Sequence, residues 1–220
     1  MTIYGNMIRV KDNFWVSETP ITQAFYLKVI GKNPSRYEGS LFMPVENVSW
    51  FDAIRFCNKL SELKGLKPIY SDRGEFLDKG TVNEFGYFHD VDNGEGFRLL
   101  TKKEWEYSMG KGGATVYAGT SDKSKLDEYA WYGYKETQTQ IVRLKKPNQF
   151  GLYDMNGNVW EWCYDRASRH SRQRFIVGGS YMSTPSECKI NKNNKFQSPM
   201  THECIGIRIC KGQFYDYPKF

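Results

Sequence analysis

Residues 148–163 constrain the fold more than any other part of this 220-residue chain. Glycines in this segment, such as Gly157, permit tight backbone turns at little steric cost. Trp160 and Trp162 then flank Glu161, so a strand here places both indoles on one face and the carboxylate on the other. From residue 114 onward, apolar residues show no long run of helical or strand periodicity. The pattern predicts loops and short strands that aromatic packing holds together.

The first predicted helix is recognised by the residues at its two ends. Thr19 is placed to act as the N-cap, Pro20 occupies the first helical position, and Gly31 follows the last apolar residue. Its apolar stripe is imperfect. The side chains predicted to face the core are Ile21, Ala24, Phe25 and Leu27.

Two further helices are predicted from capping residues. Ser49 precedes one helix with Asp52 three residues on, and Thr101 precedes the other with Glu104 in the same relation. The third helix is predicted to stop at Gly110, and the second at Gly65. The second helix carries one apolar stripe, made of Trp50, Ala53, Ile54, Cys57 and Leu60.

Between these two helices, residues 66–100 predict turns and short strands. Residues 86–88 and 97–100 flank the turn-rich stretch 92–96, which is typical of a hairpin. No internal repeat or low-complexity linker interrupts the chain. We therefore predict one domain over residues 1–220.

Composition excludes several classes of protein. Hydrophobic residues make up 40% of the chain and aromatic residues 16%, which is enough for a core and excludes general disorder. No apolar stretch approaches the roughly 20 residues that span a bilayer, and no leader is visible at the N-terminus. Basic residues cluster at 189–195 and 166–174, but no nucleic-acid docking motif accompanies them. We predict no nucleic-acid partner and no membrane-spanning segment.

The five cysteines show no CxxC spacing, and their odd number means that at least one is free or pairs outside the chain. None of the three histidines is spaced with a cysteine as in a zinc site, so no His/Cys metal centre is predicted. Cys57 lies on the apolar face of the second helix, which favours a buried thiol or a structural disulfide.

Five phrases together resemble the formylglycine-generating-enzyme domain, also called the sulfatase-modifying-factor domain, over roughly residues 14–210. The resemblance implies an α+β, C-type-lectin-like fold with short β-sheets, flanking helices and much irregular structure. It also implies a disulfide between Cys57 and Cys210. The phrases are Pro44–Ala53 followed by Phe56-Cys57, Phe97–Tyr107, Asn148–Cys163, Val177–Tyr181 and Gly206–Arg208.

In this family the third phrase often holds calcium. The resemblance implies a structural Ca²⁺ site formed by the carboxylates of Asp154 and Glu161 with the carbonyls of Gly157 and Val159. Oxygen ligands of this kind are the ones that calcium prefers. In the alternative interpretation, Asp154 caps a turn and Glu161 pairs with an arginine.

The family's oxidase binds copper through two cysteines that follow a Gly-Gly-Ser motif. By position these two residues correspond to Ser183 and Cys188. A serine hydroxyl is a hard, neutral group and cannot replace a thiolate on copper(I). We therefore expect no copper and no catalysis, and we interpret Cys188 as a buried structural cysteine. The alternative is a formylglycine-generating oxidase that matures sulfatases.

Some proteins on this framework resemble the chain in another way. They are variable proteins, including those of Treponema, that diversity-generating retroelements rewrite near the C-terminus, with Asn codons as favoured targets. Here the corresponding segment is 181–204, and it holds Asn191, Asn193 and Asn194. Ile207 departs from the pattern, which prefers phenylalanine there, and so does the tail 211–220. The resemblance implies a ligand-binding surface whose predicted residues are Tyr181, Met182, Ser183, Thr184, Ser186, Glu187, Lys189, Asn191, Asn193, Asn194, Phe196, Gln197, Met200, Thr201 and His202.

The function expected from these observations is non-catalytic binding of a protein or other macromolecular ligand. Mixed aromatic, sulfur and amide side chains on a fixed loop supply both anchors and adaptable hydrogen bonds. An ordinary polar surface loop is the alternative for this segment. Display at the cell surface or outside the cell is expected, with a lipoprotein whose signal is absent from this sequence as one form and a cytoplasmic location left open. Sugar binding is not expected, since the triplets of sugar-binding lectins are absent from the sequence.

Overall fold

The computed structural model describes residues 5–70, 96–110, 115–168 and 171–212. Its helices are α1 (Gln23–Ile30), α2 (Trp50–Leu63) and α3 (Lys102–Met109), with a 3₁₀ helix at Lys123–Glu128. Its strands are β1 (Met7–Lys11), β2 (Phe14–Ser17), β3 (Phe97–Leu99), β4 (Ala130–Trp131), β5 (Asn156–Gly157), β6 (Trp160–Arg166), β7 (Gln173–Val177), β8 (Asn193–Gln197), β9 (Ile205–Gly206) and β10 (Ile209–Gly212). The predicted α+β class is confirmed.

Two four-stranded sheets organise the molecule. The first has the order β1-β2-β10-β3, and it joins the two ends of the chain because β10 is antiparallel to both β2 and β3. The second has the order β8-β7-β6-β9, with β9 parallel to β6. Strands β4 and β5 form a separate parallel pair. The second sheet carries the predicted ligand-binding segment.

The second and third helices begin as the sequence predicts. Ser49 and Thr101 cap their helices, and the side chains of Asp52 and Glu104 bond back to the N-cap backbones. The predicted α2 stripe is entirely buried. A capping box depends on residues three apart, so sequence alone can identify it.

The first helix begins three residues later than predicted, and the assignment of Thr19 as its N-cap is wrong. Thr22 is the N-cap, and its hydroxyl accepts the N–H of Phe25 at 3.3 Å. The chain bends at residues 18–20 instead of entering a helix, and the N–H of Ile21 donates to the carbonyl of Ile207 at 2.8 Å. Leu27, predicted to face the core, is exposed, whereas Gly31 ends the helix in the left-handed conformation as expected.

The predicted hairpin at 86–100 is only partly described. β3 forms as expected, but it pairs with β10 from the far end of the chain. The other predicted arm, residues 86–88, lies outside the described residues. The strand is therefore confirmed, and its pairing with residues 86–88 stays a prediction.

The core contains the predicted tryptophan pair on one face of β6. Trp160 and Trp162 belong to one apolar cluster with α1 and α2, whereas Cys163 joins a second cluster with α3. The indole N–H of Trp162 donates to the carbonyl of Val48 at 3.0 Å, and that of Trp50 donates to Cys163 at 2.9 Å. These bonds fix α2 against the sheet that bears the site.

All five cysteines are buried free thiols. This contradicts the predicted bridge between Cys57 and Cys210. The sulfur of Cys210 instead accepts a hydrogen bond from Arg98 at 2.9 Å, and Cys57 lies in the apolar interior as a thiol.

None of the helices in the described ranges combines the length and the apolar character that crossing a bilayer requires.

Candidate functional site

The predicted ligand-binding segment, residues 181–204, leaves the core through a turn at Gly178 and Gly179. Both glycines have positive φ, 92° and 78°. A Cβ on Gly179 would lie 2.8 Å from the sulfur of Cys188, so a side chain there would displace the loop. The chain then makes a series of turns, forms β8, and returns to β9.

The first half of the segment is anchored by inward-facing residues and main-chain bonds. Tyr181 is buried, and its hydroxyl lies 2.7 Å from that of Tyr37. Its N–H donates to the carbonyl of Asn158 at 3.0 Å. The hydroxyl of Ser183 accepts the N–H of Ser180 at 3.0 Å. These two predicted ligand-binding residues therefore support the loop from beneath.

Main-chain bonds to distant framework segments hold the rest of this half. The carbonyl of Ser183 accepts the N–H of Gly133 at 2.7 Å, and the N–H of Ile190 donates to the carbonyl of Val116 at 3.0 Å. Such bonds involve only backbone atoms. They can therefore survive when side chains of the segment change.

The second half is anchored around β8 and the turn that follows. Ser198 donates its N–H to Arg172 at 3.0 Å and accepts that of Trp50 at 3.1 Å. The ring of Phe196 lies 5.9 Å from the rings of both Trp162 and His202. The half-buried Phe196 thus fastens β8 to the core.

The remaining predicted residues of the segment are either half-buried or exposed. Lys192, Lys195 and Pro199 are also exposed, and they were not among the predicted ligand-binding residues. The half-buried predicted residues are Met182, Glu187, Lys189, Asn193 and Phe196. The fully exposed ones, called the outward set below, are Thr184, Ser186, Asn191, Asn194, Gln197, Met200, Thr201 and His202.

The framework contact at Tyr37 was missed by sequence reasoning. Tyr37 precedes Tyr181 by 144 residues, and no local pattern links them. The bonds to Gly133 and Val116 also join residues that are distant in sequence. Only the folded chain shows that these residues support the segment.

Cys188 and Ser183 lie together beneath Gly179, as positions that form a pair in the family's oxidase would. Burial raises the pKa of the Cys188 thiol to about 12, so the sulfur stays protonated at neutral pH. Cys188 packs in an apolar cluster with Tyr117 and Leu126. The prediction of a buried cysteine is confirmed, and the arrangement supplies one sulfur and one hydroxyl.

The predicted calcium residues are engaged with protein partners. Both carboxylate oxygens of Glu161 lie 3.0 Å from Nε of Arg208, and one also accepts the indole N–H of Trp105 at 2.6 Å. Asp154 accepts the N–H of Arg143 at 2.9 Å, and burial raises the Asp154 pKa to about 6. This is the arrangement of the alternative interpretation.

A calcium ion at this place would have to share Glu161 with Arg208 and Trp105 or displace them. Within the described ranges, no group of three or more His, Cys, Asp or Glu side chains is placed to hold a metal. The calcium site formed by Asp154, Gly157, Val159 and Glu161 stays a prediction.

The fold and the Gly-Gly-Ser turn define a C-type-lectin-like domain of the formylglycine-generating type. Residues 6–213 match the family described as the sulfatase-modifying factor enzyme 1-like domain. The chain belongs to this family.

Three proteins illustrate what the chain is similar to. Chaperone protein LppX of Paenibacillus barcinonensis is 31% identical over 228 residues, covering 92% of this chain and 81% of that protein. The solved structure of Treponema denticola variable protein 1 superposes with a TM-score of 0.80 at 31% identity, covering 91% of this chain and 84% of that one. An inactive Cα-formylglycine-generating enzyme 2 of Bos taurus is 24% identical over 166 residues, covering 75% of this chain and 47% of that protein.

Proposed function

We propose that this chain is a non-catalytic binding protein that presents residues 181–204 as a diversified ligand surface. One observation carries the proposal. The outward set lies on a single segment whose backbone is fixed by main-chain bonds to distant framework residues, including Gly133 and Val116. Binding residues concentrate on loops that a rigid scaffold positions.

The physical advantage of this arrangement is that side-chain identity and loop conformation are separated. Tyr181 and Ser183 point inward and set the path of the chain, whereas residues such as Asn191 and Thr201 point outward. Exposed substitutions commonly change stability by less than about 0.5 kcal/mol. The outward set can therefore vary widely while the fold stays the same.

Two of the similar proteins support this proposal. A variable protein of similar length shares the fold and nearly a third of the sequence. A relative on the same framework is described as inactive. We further propose that the ligand is a protein or other macromolecule, and that the chain is displayed at the cell surface or outside the cell.

The absence of catalysis is tested by copper(I) and peptide oxidation. We expect the purified protein to bind copper(I) weakly in competition with a chelator, and to form no aldehyde on a cysteine-containing sulfatase-type peptide. The reason is that Ser183 offers no thiolate beside the protonated Cys188. Both quantities are measured on the same preparation under air and reductant.

The matched variant is Ser183→Cys, which places a second sulfur beneath Gly179 next to Cys188. It should bind copper(I) at least about ten-fold more tightly than the wild type, because thiolates are the ligands that copper(I) prefers. Stoichiometric copper in the wild-type protein, together with turnover of the peptide, would show that the protein is an enzyme.

A further inference from the structure

Strand β8 is an edge strand of its sheet and lies in the middle of the ligand-binding segment. It pairs with β7 along Asn193–Gln197, and no other strand flanks it in the part of the chain that the structure describes. The edge of a sheet presents backbone N–H and C=O groups that can pair with an added strand.

The backbone groups that face this free edge can be identified from one hydrogen bond. The N–H of Lys195 donates to the side chain of Asn194 at 2.8 Å, so it points away from β7. Opposed residues of an antiparallel pair alternate between bonded and non-bonded positions. Asn193, Lys195 and Gln197 therefore direct their backbone groups outward, although the carbonyl of Gln197 already accepts the N–H of Met200 at 3.0 Å.

The charges that flank this edge favour an acidic partner. Lys192 and Lys195 are exposed, and neither forms an ion pair within the described ranges. Both carboxylates of the segment already have partners. Glu187 accepts bonds from the N–H and hydroxyl of Thr184 at 2.7 and 2.9 Å, and Glu203 pairs with Arg36. Within residues 181–204, the lysines Lys189, Lys192 and Lys195 outnumber the two glutamates, and Glu203 is already paired with Arg36, so this edge carries a net positive charge.

We propose that β8 receives an extended, acidic segment of a partner protein as an added strand. The inference rests on the proposed binding function and names the kind of partner. The backbone bonds between β8 and the added strand do not depend on side-chain identity, so they persist while the outward set changes. Main-chain bonds then supply affinity and the diversified side chains supply specificity. A second copy of this chain is a poor occupant, because antiparallel pairing of two β8 edges brings lysines of both copies together.

The test uses 12-residue peptides selected from a displayed library against the wild-type protein. We expect the enriched peptides to carry Asp or Glu at alternating positions. In their complexes, the amides of Asn193 and Lys195 should exchange more slowly with deuterium than in the free protein. Titration calorimetry of one enriched peptide with three variants then locates the contact.

The three variants separate backbone from side chain. Lys195→Ala removes the charge and keeps the N–H, whereas Lys195→Pro removes both and leaves the bonds to β7 intact, because that N–H points outward. Lys195→Pro should bind about five-fold more weakly than Lys195→Ala. Asn194→Ala frees the Lys195 N–H and should bind about two-fold more tightly than the wild type. Thermal unfolding confirms that each variant is folded.

The outcomes distinguish this inference from the proposed function. Suppose the peptides bind equally to both Lys195 variants, leave the two amides unprotected, and depend only on outward side chains such as Asn191. Strand addition is then overturned and the proposed function stands. If no peptide is enriched, or if binding ignores every change within 181–204, the inference is overturned and the proposed function loses its support as well.

Discussion

Replacing Arg208 with alanine is expected to lower the free energy of unfolding by about 3–5 kcal/mol, the range for breaking a buried ion pair. Arg208 is fully buried and bonds through Nε to Glu161. Its other nitrogens donate to the carbonyls of Ser17 and Tyr153, each at 2.7 Å. The substitution leaves a buried carboxylate and two carbonyls without these donors. Urea unfolding followed by tryptophan fluorescence measures the change.

The control for this prediction is an exposed ion pair. Lys59 and Glu62 lie 3.2 Å apart on α2, and about half of each side chain is exposed, 51% and 53%. Lys59→Ala should change stability by less than about 0.5 kcal/mol. An Arg208→Ala protein that loses no more than this control would contradict the central role given to the Glu161 pair.

Replacing Gly157 with alanine is expected to cost about 3 kcal/mol or more, since it combines backbone strain with a collision. Gly157 has φ of 71°, and a Cβ there would lie 1.8 Å from the carbonyl oxygen of Trp131. Because β4 and β5 pair through these residues, the backbone must separate to admit a methyl group. The same urea measurement applies.

Gly133 provides a matched comparison. Its φ is 78°, yet nothing lies within 4 Å of a Cβ built on it. Gly133→Ala should therefore show the strain alone, about 1 kcal/mol. Equal losses for the two variants would mean that the contact with Trp131 does not restrict position 157.

Sequence predicted those parts of the fold that depend on neighbouring residues. The capping boxes at Ser49 and Thr101, the buried stripe of α2 and the tryptophan face of β6 are all confirmed. The start of α1 was misplaced because a bond from Ile21 to Ile207 outweighs the local signal at Thr19. The pairing of β3 with β10 was missed because the two strands are distant in sequence and no local pattern links them.

The candidate site, too, was predicted only in part, because long-range contacts shape it. Resemblance to the family supplied the limits of the segment, 181–204, but not the direction in which its side chains point. Tyr181 and Ser183 were predicted to bind ligand, and they are buried supports. The alternation of exposed and buried residues follows no simple period there, because turns and one short strand succeed each other. Contacts from Tyr37 and Gly133, distant in sequence, determine it.

The most direct test of the central claim is selection from two displayed libraries against the same panel of unrelated proteins. One library randomises the outward set, and the other randomises exposed α2 positions, namely Arg55, Lys59, Glu62 and Leu63. We predict that the first library yields folded, specific binders to several targets and that the second yields none. Equal yields from the two libraries, or a first library that mostly fails to fold, would contradict a dedicated binding surface at residues 181–204.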